Sequence, residues 1–96
     1  MLKFEWDPAK ARKNLREHGV SFNEAAAVFS DDQAILEDDP DHSTDEDRFL
    51  LIGMSATLRI LVVVHCYQRN AEVIELISAR KATRSERAQY GARWLK

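Results

Sequence analysis

Three features of this sequence predict an α+β fold with two N-terminal helices, an antiparallel sheet of three to four strands and a C-terminal helix. Capped, helix-spaced apolar segments fill most of the first thirty residues. Three runs rich in Leu, Ile and Val, separated by hairpin-length gaps, span residues 48–79. A capping box at Thr83-Arg-Ser-Glu86 then opens a last helical segment. At 96 residues the chain has the size of one domain, residues 1–96. Such a chain buries about two-thirds of its unfolded surface, enough for one core.

The elements follow in order. Phe4-Glu5-Trp6 reads as a short edge strand. Asp7-Pro8 opens the first helix, because Asp caps free N–H groups and Pro is preset in φ. Ala11, Leu15 and His18 recur at i, i+4 and i+7 and predict its inner face; Lys10, Arg12, Lys13, Arg16 and Glu17 take the others. Asn14 and His18 read as packing or capping residues, His18 suiting the negative end of the helix dipole. Gly19 ends the helix in the left-handed conformation. Ser21-Phe-Asn-Glu24 predicts a capping box, followed by an apolar stripe of Phe22, Ala25, Ala26 and Phe29.

Ala34–Glu37 predicts a short strand leading into the acidic stretch DDPDHSTDED. Arg48–Ser55, Leu58–Tyr67 and Glu72–Ala79 predict three antiparallel neighbours joined by short turns. Leu58–Tyr67 is apolar on both faces through Ile60–Val64, the mark of a central strand. The last helix is expected from about Thr83 to Trp94. Ala88, Ala92 and Leu95 lie on one side of it, and Tyr90 and Trp94 on another. The order is ααβ(β)ββα.

Charge is segregated along the chain. The net charge is −2, yet residues 31–47 hold nine acids and no Lys or Arg, whereas residues 48–96 hold nine cations and three acids. A basic body with an acidic loop keeps a polyanionic partner in play. One cysteine, Cys66, rules out an internal disulfide and reads as a buried inert thiol. The N-terminus lacks the apolar region of a signal peptide, and the longest apolar run is too short for a membrane span, so a cytoplasmic protein is expected.

Nucleotide-binding glycine loops, H-E-x-x-H, paired-cysteine zinc patterns and a complete EF-hand register are all absent, so neither a metal nor another cofactor is expected. Four cations in eight residues, Arg80, Lys81, Arg84 and Arg87, stand where a strand passes into a helix. They read either as an anion site, guanidinium forks beside a helix N-terminus, or as a solvated basic face. His65, expected close to Arg80, shares strand parity with Tyr67 and Arg69, and such a row could line one surface near the sheet's end. His65 reads either as a proton-transfer group or as a hydrogen-bonded core residue.

The segments FEWDPAKARKNLREHGVSFNEAAAVFSDD, the acidic loop with His42 and Glu46-x-Arg48, LLIGMS, LRILVVVHCY and ISARKATRSERAQY together resemble the BrnT family of type II toxins over nearly the whole chain. The resemblance implies a RelE-like ribonuclease whose basic sheet surface cleaves RNA and arrests growth. It also implies a BrnA-like ribbon-helix-helix antitoxin that carries the DNA-binding part, in a complex expected to be a heterotetramer. Cleavage of this kind needs no metal, since the RNA 2′-OH is the nucleophile. On this reading Arg80 and Lys81 stabilise the phosphoryl oxygens, with Arg48 assisting. His65 is the first choice for proton transfer and His42 the second. Arg84, Arg87, Arg69 and Tyr67 would bind RNA.

The chain departs from the family pattern I-R-I-I-S-A-R at Ile74-Glu75-Leu76-Ile77. Strand parity places Glu75 with Val73 and Ile77, opposite Arg80. Glu75 would either weaken phosphate binding or pair with Arg59 or Arg69 across the sheet. The alternative class is a non-catalytic module whose basic face docks an acidic partner. A direct DNA binder is disfavoured, because Phe22–Phe29 carries no Arg, Lys or Gln to read bases.

Overall fold

The computed structural model of the chain describes residues 2–39 and 47–95; His42 lies outside them. The elements run β1 (Lys3–Glu5), α1 (Pro8–His18), α2 (Phe22–Ala27), a 3-10 turn (Val28–Ser30), β2 (Ile35–Asp38), β3 (Phe49–Met54), β4 (Ile60–Gln68), β5 (Val73–Lys81), α3 (Arg84–Ala92) and a final 3-10 turn (Arg93–Leu95). The α+β class is as the sequence predicts, but the sheet has five strands in the order β1-β5-β4-β3-β2. β2 through β5 pair antiparallel, whereas β1 pairs parallel with β5, so the sheet is mixed. The chain crosses from the β1 edge to the far, β2 edge of the sheet through two helices.

Helices cover both faces of the sheet. On one face Val20, Phe22, Ala25 and Val28 pack on Leu51, Leu61, Val63, Ile74, Leu76 and Ala79. On the other, Tyr90 of α3 and Ala82 pack on Ile52 and Val62. Tyr90 is therefore the sheet-facing residue of α3, while Ala88 and Ala92 are exposed. Its hydroxyl donates to Asp31 Oδ2 at 2.6 Å, and the Met54 N–H donates to the same oxygen at 2.8 Å. Burial alone would raise the Asp31 pKa; these bonds and one from the Gln33 N–H overcome it and lower the pKa. Gly53 is required where β3 passes under this corner, because a Cβ there would lie 2.8 Å from Val28 Cγ1 and 2.9 Å from Ala34 Cβ.

The caps act largely as their residue types dictate. Asp7 Oδ1 accepts from the Ala9 N–H, and Gly19 closes α1 at φ 69°. Thr83 and Glu86 form a complete capping box. At α2 only half of the expected box forms. Ser21 Oγ accepts from the Glu24 N–H, but the Glu24 carboxylate turns away to the β3–β4 turn. There it accepts from Ser55, Thr57 and Arg59. A guanidinium and two hydroxyls offer that carboxylate more than one backbone N–H does. The Arg59 pair, with these hydroxyls, holds the Glu24 pKa at about 2 although burial opposes it.

Two predicted faces are corrected. On α1 the residue that turns inward is Asn14, which is 5% exposed, whereas Leu15 is 52% exposed and His18 is also exposed. On β5 the alternation breaks. His65 pairs with Leu76 but Val64 pairs with Ser78, so Ile77 is an extra, bulged residue. After the bulge every side chain moves to the other face. Arg80, opposite Val62, and Glu75, opposite Cys66, thus share the α3 side of the sheet.

Candidate functional site

α1 is fastened to β5 by one polar side chain. β1 pairs only with Val73–Glu75, so among the described residues the outer edge of β5 has no strand beside it from Leu76 onward. Asn14 replaces one. Its Oδ1 accepts from the Ala79 N–H at 3.0 Å, and its Nδ2 donates to the Ala79 and Val20 carbonyls, each at 2.9 Å. Both backbone groups of Ala79 are satisfied without a sixth strand, which also closes the edge to unwanted pairing.

The clamp creates a groove of about 270 Å³ along that edge, lined by Lys10, Lys13, Asn14, Glu17 and His18 of α1, Ile77 and Ser78 of β5, and Arg48. Lys10, Asn14 and Glu17 or His18 are three to four residues apart and so share one helix face. Arg48 arrives from the sheet side. The bond from the Asp39 N–H to the Arg48 carbonyl, 3.0 Å, extends the β2–β3 ladder to this residue. Alternation along β3 then puts its side chain on the face of Leu50 and Ile52, the face to which the bulge turns Ser78. Three permanent cations, a histidine and a hydroxyl thus meet beside one carboxylate.

Arg80 stands two residues beyond Ser78 on the same face, about 7 Å along the strand. Its guanidinium is engaged. Nη1 and Nη2 donate to the two oxygens of Glu86 at 2.8 and 3.0 Å. This fork, with the Thr83 N–H, holds the Glu86 pKa at about 2 against the effect of burial. The geometry is that by which guanidinium grips a phosphate, with the α3 carboxylate as the anion.

The family model for the ribonuclease toxin BrnT of type II toxin-antitoxin systems matches residues 6–86, which include α1, Arg48, Ser78 and Arg80. The chain belongs to the BrnT family. Its structure is similar to the 1.1 Å crystal structure of the Brucella abortus ribonuclease toxin, BrnT. The TM-score is 0.65 and the identity 26%, over 88% of this chain and 100% of that one. Curated protein sequences yielded no match.

In this chain the expected row of His65, Tyr67 and Arg69 does not meet Arg80. His65 is fully buried on the α1–α2 face, ringed by Phe29, Phe49 and Tyr67 at centroid distances of 4.8, 6.1 and 5.2 Å. A carbonyl can only accept, so Nδ1–H donates to the Val63 carbonyl (3.1 Å) and Nε2 accepts from the Tyr67 hydroxyl (3.2 Å). Burial lowers the His65 pKa, with the Val63 bond partly opposing. Arg69 sits at the opposite end of β4 in a turn where Arg69, Asn70 and Ala71 all have positive φ, and it pairs with Glu5 at 3.6 Å.

The remaining cations of residues 80–87 do not line one surface either. Lys81 opposes Leu61 and is exposed on the face away from Arg80. Arg84 and Arg87 are exposed on α3, and Arg87 donates to the Ala82 carbonyl at 2.8 Å. Glu75 pairs with neither Arg59 nor Arg69. Its Oε1 accepts from Gln68 Nε2 at 2.5 Å and from Cys66 Sγ at 3.4 Å.

Sequence reasoning therefore missed Lys10, Lys13 and His18 as a group. Their signal was the cationic face of α1, legible as charge but not as a site until Asn14 brings it against β5. Among the described residues no helix is long and apolar enough to cross a membrane.

Proposed function

We propose that this chain is the toxin of a bacterial type II pair and a metal-independent endoribonuclease that arrests growth by cutting RNA. The observation that carries the reading is the groove where Lys10, Lys13 and Arg48 converge on the clamped edge of β5. An RNA backbone presents phosphates to three cations there, and the 2′-OH beside the held phosphate is the internal nucleophile. Lys10, Lys13 and Arg48 hold the phosphoryl oxygens, and negative charge developing on them in the transition state strengthens those contacts. Arg80 extends the cationic track once Glu86 gives way to a phosphate; Lys81, Arg84 and Arg87 add longer-range attraction. The RelE-like ribonucleases are the class this reading places it in, acting in the cytoplasm. The partner is a BrnA-like ribbon-helix-helix antitoxin in a heterotetramer, whose neutralising segment would cover the same cations.

The test uses the antitoxin-free chain on a long single-stranded RNA in excess EDTA, and the same RNA on translating ribosomes. Wild type is expected to cut, and Lys10→Ala/Arg48→Ala to cut at least about 100-fold more slowly, the scale of lost transition-state donors. If the folded wild type cuts neither substrate, the protein is a docking module for an acidic partner instead.

A further inference from the structure

We infer that His18, which lines the groove beside Lys10, Lys13 and Arg48, is the proton acceptor for the RNA 2′-OH. The inference deepens the ribonuclease reading and rests on it. Cleavage through the 2′-OH needs an unprotonated base within hydrogen-bond reach of that hydroxyl, and the other groove groups serve poorly. Lys10, Lys13 and Arg48 are cations at neutral pH, and the Ser78 hydroxyl is a weak base. Glu17, the remaining acidic or basic side chain facing the groove, is a carboxylate, which repels the phosphate it would have to approach. The other described histidine, His65, is sealed in the core with both ring nitrogens bonded.

The position of His18 is fixed without being blocked. It lies one helical turn beyond Asn14, which is bonded to both backbone groups of Ala79. Residues four apart on a helix have Cβ atoms about 6 Å from one another. The imidazole therefore projects from a backbone anchored against Ser78–Arg80 while its ring stays open to solvent. A group held on a clamped helix meets the requirement that a catalytic side chain sit on a rigid element.

The step balances as follows. The imidazole nitrogen takes the 2′-OH proton as O2′ forms its bond to phosphorus. The P–O5′ bond breaks with its electron pair on O5′, which takes a proton from the Lys10 or Lys13 ammonium. The products are a 2′,3′-cyclic phosphate and a 5′-hydroxyl. The imidazolium returns its proton to water, from which the lysine regains one.

The experiment compares wild type, His18→Gln and His18→Lys on cleavable RNA, and measures their affinity for the 2′-O-methylated form of the same RNA, which has no 2′-OH proton to give. Both variants are expected to lose about 100-fold or more in cleavage rate, with affinity for the methylated RNA within threefold. A His18→Gln rate within threefold of wild type overturns the assignment. So does a His18→Lys variant at the wild-type rate, since a cation alone would then suffice, and so does an affinity loss that matches the rate loss. A wild type that binds methylated RNA but cuts nothing, free or on ribosomes, sinks the ribonuclease reading itself. Circular dichroism is expected to match across the three proteins, because His18 is exposed.

Discussion

Asn14 makes three hydrogen bonds of 2.9–3.0 Å and leaves no backbone group of Ala79 to water. In Asn14→Ala the buried Ala79 N–H and C=O lose their partner, and each such orphan costs about 1–3 kcal/mol. The expected loss is roughly 3 kcal/mol, read as a fall in Tm of more than about 10 °C for a chain of this size. Cleavage at temperatures where the variant is still folded should fall too, because α1 carries the groove cations. His65 makes a prediction of the opposite kind. His65→Gln removes a buried ring packed against Phe29, so it should lower Tm. It should leave the cleavage rate of the folded fraction within about threefold, since the ring lies on the face away from Arg48 and Arg80. A proportionate loss of rate in fully folded protein would restore His65 to the chemistry.

Elements are joined in this fold by a few polar pairs, and acid should break them. Glu24 ties α2 to the β3–β4 turn through Arg59, and its pKa falls from 4.5 to about 2. A depressed carboxyl pKa gives stability that is complete above the unfolded value of 4.5 and is lost as pH falls from there to about 2. The size is at most roughly 3 kcal/mol. Glu86, which ties α3 to β5, has the same sign and the same window. Urea midpoints measured between pH 6 and pH 2 should therefore drop steeply below about pH 4.5, and Glu24→Gln should flatten that drop. An unchanged slope in the variant would show that the pair contributes little.

The sequence carried the local part of this architecture. Asp7, Gly19, Ser21 and Thr83 cap helices where their chemistry says they should, and β4 is central because it is apolar on both faces. It did not carry the non-local part. Nothing in ELISARK marks Ile77 as a bulge, because an extra apolar residue looks like any other until its partner strand is in place. The parallel pairing of β1 depends in the same way on where the two helices deliver the chain. The predicted grouping of side chains does not form for these reasons: parity counted through Ile77 put Arg80 on the wrong face, and Asn14 looked like one more polar residue on a charged helix.

At the scale of the whole molecule, attraction for RNA must come from where the charge lies, because the net charge is −2. Two distributions could supply it, and salt separates them. If the excess of cations in residues 48–96 acts as a diffuse field, substituting any one of them changes affinity slightly and the salt slope hardly at all. If the groove binds the backbone, the slope counts its contacts, at about 0.7 per neutralised phosphate on a single strand. Lys10, Lys13 and Arg48, with Arg80 on the same track, then give a plot of log affinity against log salt with a slope of about −3. Lys10→Ala/Lys13→Ala should bring it to about −1.4, whereas Arg84→Ala/Arg87→Ala, on exposed α3, should leave it near the wild-type value. Equal reductions from the two pairs would mean that phosphates track the whole basic half of the chain. Binding would then be spread beyond the β5 edge, and α1 would have no special claim on the RNA.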